Sequence, residues 1–375
     1  MTRNRYAWVL IVGLLLCVVP AFGQEITPEP TAEQTIEPGP PEITPEVTPE
    51  TTPEATPEAT SEATPETTPE ATPEATPTAT RAAGSGAEVE PLPDQVTILH
   101  EGLFPEGIEY DSLNGYFLVS STSEGTVYRV DDDGNETPFV EDERIPSSLG
   151  LEIDEANSRL LVAATDMTRE GYLGIYDLDT GEPIRWVDFG PLLPTDPERF
   201  VNDVAVDSQG NAYVTDSFAG VIYRVDPLGN AIVYLQHESF STQFALNGIE
   251  YHPTGDYLLA VRGTDLIKIR LDNPADFTVV EIDHEFVGAD GLLLLDDTTL
   301  VVVTNSPAHV YRLESDDDFD SAEITGEFEP GPVFPTTAAE RSGEAYVLYA
   351  QLNAETDSVA EFPIQRVTFE APAAG

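Results

Sequence analysis

The chain has 375 residues and a formal charge of −53, from 69 Asp and Glu against 16 Lys and Arg. Residues 84–375 keep 56 of those acids against 13 bases, among which Lys268 is the single lysine. A surface of that sign repels phosphate backbones and anionic lipid heads, so nucleic acid and membrane surfaces are disfavoured as partners, while hard cations and solubility are favoured.

The N-terminus has the three parts of an export signal. Arg3 and Arg5 supply a positive region, Ala7–Val19 is an apolar run, and Ala21-Phe22-Gly23 is a small-x-small cleavage site ahead of Gln24. The run is too short to span a bilayer, for which about 20 residues are needed. Residues 1–23 are therefore expected to be a signal peptide, the mature protein to be secreted, and no membrane insertion to remain after cleavage. Cys17 is the only cysteine, and the bulky Leu16 before it is wrong for a lipoprotein signal, so the mature chain has no disulfide and no thiolate site.

Residues 24–91 are expected to form a disordered Thr/Pro/Glu-rich linker. Near-repeats such as Thr52-Pro53-Glu54-Ala55-Thr56-Pro57-Glu58 remove backbone donors, fix φ, repel one another and offer nothing apolar to bury. The stretch Arg81–Gly86 adds a flexible joint.

Residues 92–375 are expected to form an all-β domain, a six-bladed β-propeller. The segments Pro105–Asp111, Ser148–Asp154, Val201–Asp207, Leu246–His252, Ala289–Leu295 and Pro335–Arg341 align without gaps. Their second positions are 106, 149, 202, 247, 290 and 336, a period of about 45 residues with one longer step that predicts an insertion around Pro183–Phe200. Second strands follow at 115–120, 159–164, 211–215, 257–261, 300–304 and 344–350, and third strands recur as Thr126–Val130, Leu173–Asp177, Val221–Val225, Leu266–Arg270 and His309–Leu313. Four strands per unit and six units specify the propeller, and Gln95–His100 is placed to complete the last blade and close the ring.

In a propeller the second position of the repeat falls at the mouth of the central channel in every blade. Glu106, Leu149, Asn202, Asn247, Asp290 and Thr336 occupy it, and five of the six carry oxygen donors. A ring of carboxylate and amide oxygens suits a divalent metal, most of all Ca²⁺. Asn or Asp before Gly is also ordinary turn chemistry, which does not account for Glu106. Asp166, Asp216 and Asn305 end second strands on the same face, where they could shape a substrate pocket or simply cap loops.

The residues Phe104-Pro-Glu-Gly107, Asn202–Asp216, Leu246–Gly255 and Ala289-Asp-Gly291 resemble the senescence-marker-protein/gluconolactonase/luciferin-regenerating-enzyme family of calcium-dependent propellers, over roughly residues 95–370. The resemblance is good in four blades and weak in the second and sixth. It implies Glu106, Asn247 and Asp290 as metal ligands and Asn202 as the accessory residue for substrate or metal. The implied function is a secreted, Ca²⁺-dependent hydrolase of lactones or small esters, in which Asp290 removes a proton from the attacking water. A monomer acting on a small molecule is expected. The alternative is a non-enzymatic secreted propeller, with a structural or vestigial metal site, that displays a binding face at the end of its stalk, favoured by Leu149 and Thr336 in the ring and by the lack of arginines placed for an acidic sugar lactone.

Other motifs carry less. The five histidines have no paired metal spacing, and no Gly-x-Ser-x-Gly elbow supports serine catalysis. Asp131–Glu136 is expected to be a hairpin turn rather than a Ca²⁺ loop, and Asp316–Asp320 a solvated loop.

Overall fold

The computed structural model describes residues 91–372, apart from 196 and 355–358. The expected signal peptide and nearly all of the expected linker lie outside the described residues.

Six antiparallel four-stranded sheets follow one another along the chain. The first blade is β2 (Ile108–Asp111), β3 (Tyr116–Val119), β4 (Val127–Val130) and β5 (Glu136–Val140). The second is β6 (Ser148–Asp154), β7 (Arg159–Thr165), β8 (Gly171–Asp177) and β9 (Pro183–Asp188), and the third β10 (Val201–Val206), β11 (Ala212–Asp216), β12 (Val221–Val225) and β13 (Ala231–Gln236). The fourth is β14 (Leu246–His252), β15 (Tyr257–Arg262), β16 (Asp265–Arg270) and a two-residue β17 (Thr278–Val279). The fifth is β18 (Ala289–Asp296), β19 (Thr299–Asn305), β20 (Ala308–Glu314) and β21 (Glu323–Phe328). The last blade is built from β22 (Pro335–Arg341), β23 (Glu344–Tyr349), β24 (Glu361–Arg366) and, as its outer strand, β1 (Gln95–Leu99).

Pairing of β1 with β24 closes the ring by joining the two ends of the domain, and Val96 and Ile98 turn inward to a fully buried position. Each inner strand touches the next around the axis, with β22 returning to β2. The apolar core is divided into slabs between blades. Leu118, Leu160 and Val162 pack between the first and second, for example, and Leu259, Leu300 and Val302 between the fourth and fifth. Alternating side chains on every strand feed the slabs on its two faces, which is why the sequence reads as short alternating runs.

The long step in the repeat is an insertion after β9, where Gly190–Leu192 forms a single 3-10 turn ahead of β10. Asp131 accepts from the Asp133 and Asn135 backbone amides and from the Asn135 side chain, as expected of a hairpin turn. Asp317 does the same work in the 316–320 loop, accepting from the backbone and hydroxyl of Ser321. Arg341 ties the last blade to the first through two hydrogen bonds to Asp132.

Candidate functional site

The site is made by a recurring break in the inner strands. In β6, β10, β14, β18 and β22 the first residue of the repeat pairs with the second strand, the next two do not, and pairing resumes at the fourth. In the first blade β2 starts only at that fourth position, Ile108. The second and third residues are thereby released from the ladder and turned toward the axis, the local re-aiming that bulges provide.

The third residue is glycine in four blades for a spatial reason. A Cβ on Gly107 would stand 2.3 Å from the Leu149 carbonyl oxygen, and one on Gly248 would stand 2.4 Å from that of Asp290. These glycines permit neighbouring inner strands to close around a narrow channel, so they are packing requirements rather than turn residues. Asp203 and Thr337 hold the same position in the other two blades. Their side chains fill the space left by the glycine of the preceding blade, Gly150 and Gly291.

Four of the residues singled out from sequence form one hydrogen-bonded chain. The Asn202 amide donates to Asn247 Oδ1 at 2.6 Å, and the Asn247 amide donates to Asp290 Oδ1 at 2.7 Å. Asn305 donates to Asp290 Oδ2 at 3.2 Å, so it belongs to the site. Glu106 lines the same channel, its Oε2 buried without a hydrogen-bond partner. Thr336 turns its hydroxyl to the Glu106 carbonyl at 2.7 Å and supports the ring from below the side chain. Leu149 is fully buried.

Asp216 and Asp166 are loop caps. Asp216 Oδ1 accepts from the backbone amides of Phe200, Phe218 and Ala219, and its Oδ2 from the Tyr223 hydroxyl. Asp166 Oδ1 accepts from Thr168, Arg169 and Glu170, and its Oδ2 from the Thr168 hydroxyl. Both hold site-face loops in shape.

Four further acids line the channel beyond the ring: Glu109, Glu152, Asp203 and Glu250. The recurrence of Glu at the fifth repeat position, in the middle of an otherwise apolar inner strand, was the available signal for three of them. Burial drives every carboxyl here upward. Asp290 is pushed to about 7 by desolvation, against the hydrogen bonds of Asn305 and Asn247 and with a further rise from Asp203. Desolvation also carries Glu250 to about 8 and Asp203 to about 6. Glu106 is raised well above the carboxylate range by burial and then by the nearby charges of Asp290 and Asp203, and Glu109 and Glu152 are raised by burial first as well. Among the described residues no Lys, Arg or His lines this channel.

A buried carboxylate with an orphaned oxygen, facing a second carboxylate and two amides, fits a hard cation. Among the described residues no three His, Cys, Asp or Glu side chains are grouped to hold a metal, so such a site relies on amide oxygens. The donors that fit are Glu106, Asn247 and Asp290, with Asn202 beside them.

No protein-family model matches the chain, and no curated protein matches it by sequence. Solved structures do match in fold. The major allergen Mala s 1 of Malassezia sympodialis superposes with a TM-score of 0.63 at 19% identity, over 74% of this chain and 96% of its own. A luciferin-regenerating enzyme matches with a TM-score of 0.52 at 13% identity, over 74% and 98%. A protein provisionally assigned as a gluconolactonase matches with a TM-score of 0.52 at 14% identity, over 75% and 94%. These neighbours are consistent with the resemblance seen in the blade-start motifs, and at such identities what they share with this chain is the six-bladed fold.

Proposed function

We propose that the protein is a secreted, Ca²⁺-dependent hydrolase of lactones or small esters. The observation that carries this reading is the buried, unpartnered Glu106 Oε2 beside the Asn202–Asn247–Asp290 chain. Glu106, Asn247 and Asp290 would hold the ion, and Asn202 would steady Asn247 and the substrate. When bound, such an ion polarises a carbonyl oxygen and stabilises the negative charge that develops on it. Among the described residues Asp290 Oδ2 is held by the long bond from Asn305 alone, which leaves it as the oxygen that takes a proton from the attacking water. The inner-strand bulges fix Asn202, Asn247 and Asp290 on rigid strands, and Glu106 stands two residues ahead of β2, which gives the preorganisation such chemistry needs. Export rests on the N-terminal charge, apolar run and cleavage motif.

Calorimetric titration of Ca²⁺ into the chelator-treated full-length mature chain tests the site, alongside Asp290→Ala and Asn247→Ala, followed by a lactone and ester screen. Stoichiometric binding lost in both variants, with hydrolysis lost alongside it, is the expected result. Hydrolysis retained by Asp290→Ala would overturn the assignment. A second reading, a non-enzymatic binding module, is favoured by the hydrogen bonds that already satisfy Asn202, Asn247 and Asp290 among themselves. That reading expects a partner to stay bound to chelator-treated protein.

A further inference from the structure

One sector of the site face is apolar. Leu149, the ring member with no side-chain oxygen, packs with Met167 and Phe200, and the partly exposed Phe218 and Phe244 pack against the same cluster. The three aromatic rings form a closed triangle, with centroids 5.2 Å apart for Phe200–Phe218, 5.1 Å for Phe218–Phe244 and 5.7 Å for Phe200–Phe244.

This triangle is wired to the ring residues. Ser217 accepts from the Asn202 side-chain amide on its hydroxyl at 3.0 Å and donates that hydroxyl to the Leu246 carbonyl, next to Asn247. The Ser217 backbone donates to the Phe200 carbonyl and accepts from the Phe244 amide, both at 2.9 Å. Met167 and Phe244 are held at φ 61° and 57°, a left-handed conformation that bulky side chains rarely adopt and that persists only where neighbours enforce it. The longest blade-to-blade connection, 189–200, ends at Phe200. Across the mouth, Val287 is 54% exposed, one residue before Gly288, whose carbonyl accepts from the Asn305 backbone N–H. At this face the Arg199 guanidinium is turned to the carbonyls of Arg169, Pro197 and Gly190, and Arg262 to Asp265.

We infer that the substrate is an uncharged lactone or ester with an extended apolar group, aliphatic or aryl, which lies against Phe218 and Phe244 while its carbonyl faces the oxygen side of the ring. This rests on the hydrolase reading. An aldonic lactone bristling with hydroxyls would leave those hydroxyls unpaired against the triangle, at a cost in affinity.

The test uses the calcium-loaded mature chain with γ-butyrolactone, γ-octalactone, γ-undecalactone and D-glucono-δ-lactone, in the wild type and in Phe218→Ser and Phe244→Asn. Asparagine tolerates the left-handed backbone at 244, so the second variant removes the ring without added strain, and thermal melts report folding in both. The expected result is a kcat/KM that climbs with chain length, by up to about three- to four-fold per buried methylene, and a slope that collapses in either variant. Hydrolysis that favours the glucono-lactone, or a chain-length slope untouched by both substitutions, overturns the inference and leaves the hydrolase reading standing. If no lactone is hydrolysed, calorimetry with the lactam analogue of γ-undecalactone separates the two ideas. Binding weakened by Phe244→Asn would sustain apolar recognition without catalysis, and absent binding would remove both.

Discussion

Asn247 and Asp290 are the second residues of the inner strands of adjacent blades and meet through a 2.7 Å hydrogen bond from amide to carboxylate, inside a channel that no basic side chain among the described residues lines. Their backbones also approach closely, since Gly248 lies against the Asp290 carbonyl. The pair is therefore both a seam between two blades and the centre of the proposed ion site.

Replacing Glu106 by glutamine separates the cost of a buried carboxyl from its use as a ligand. With no ion bound, an orphaned carboxyl in a low-dielectric channel is a burden on the fold, whereas with an ion it is a ligand. Glu106→Gln is expected to raise the melting temperature of chelator-treated protein near neutral pH and to weaken Ca²⁺ binding by at least about tenfold. Unchanged calcium affinity would remove Glu106 from the ligand set.

Stability without calcium should fall as pH rises. A carboxyl whose value is higher in the folded state holds its proton more readily there, so its contribution is complete below the unfolded value, near 4, and is lost as pH climbs through the folded value. With Asp203 at about 6, Asp290 at about 7 and Glu250 at about 8, the loss should be spread between about pH 4 and somewhat above pH 8. Melts of chelator-treated protein across that range test it. Glu250→Gln should flatten the curve and added Ca²⁺ should lift its alkaline end, while a profile with no slope, or one indifferent to Glu250→Gln, would contradict the channel's role.

Gly248→Ala asks whether the glycines are packing residues. Its Cβ would fall 2.4 Å from the Asp290 carbonyl oxygen, backbone that cannot swing aside. Overpacking of this kind costs about 1–3 kcal/mol, or roughly 2–5 °C in a domain of this size. Calcium binding should weaken with it, because Asp290 must move. A melting temperature equal to wild type would show that the blades can separate freely there.

The closing strand is open to a similar test. Ile98 is fully buried in the slab between the last and first blades, with Phe117, Leu348 and Phe362 in the same cluster. Ile98→Ala is expected to cost about 2–5 kcal/mol in chemical denaturation, and a loss below about 1 kcal/mol would mean that β1 contributes little to closure.

The sequence by itself determined the architecture, because a propeller repeats. Each blade must alternate apolar and polar positions on four strands, and the recurrence of that pattern six times exposed the strand order, an insertion around Pro183–Phe200 and the closure by a strand at Gln95–His100, which the structure places after β9 and at Gln95–Leu99. It also named Glu106, Leu149, Asn202, Asn247, Asp290 and Thr336 together, since equivalent positions of a closed ring must converge on its axis, while the choice of Glu106, Asn247 and Asp290 as ligands with Asn202 beside them came from the family resemblance. Only the tertiary structure decided what each of those positions does. Linear spacing cannot show that the second and third residues leave the ladder, that the following glycine is required by the neighbouring strand, or that Asn305 reaches Asp290 while Asp216 and Asp166 spend their oxygens on loops. Those outcomes depend on distances between blades some 45 residues apart in the chain. Burial too is a property of the assembled ring, and it is burial that lifts Glu109, Glu152 and Glu250 out of the ordinary carboxylate range.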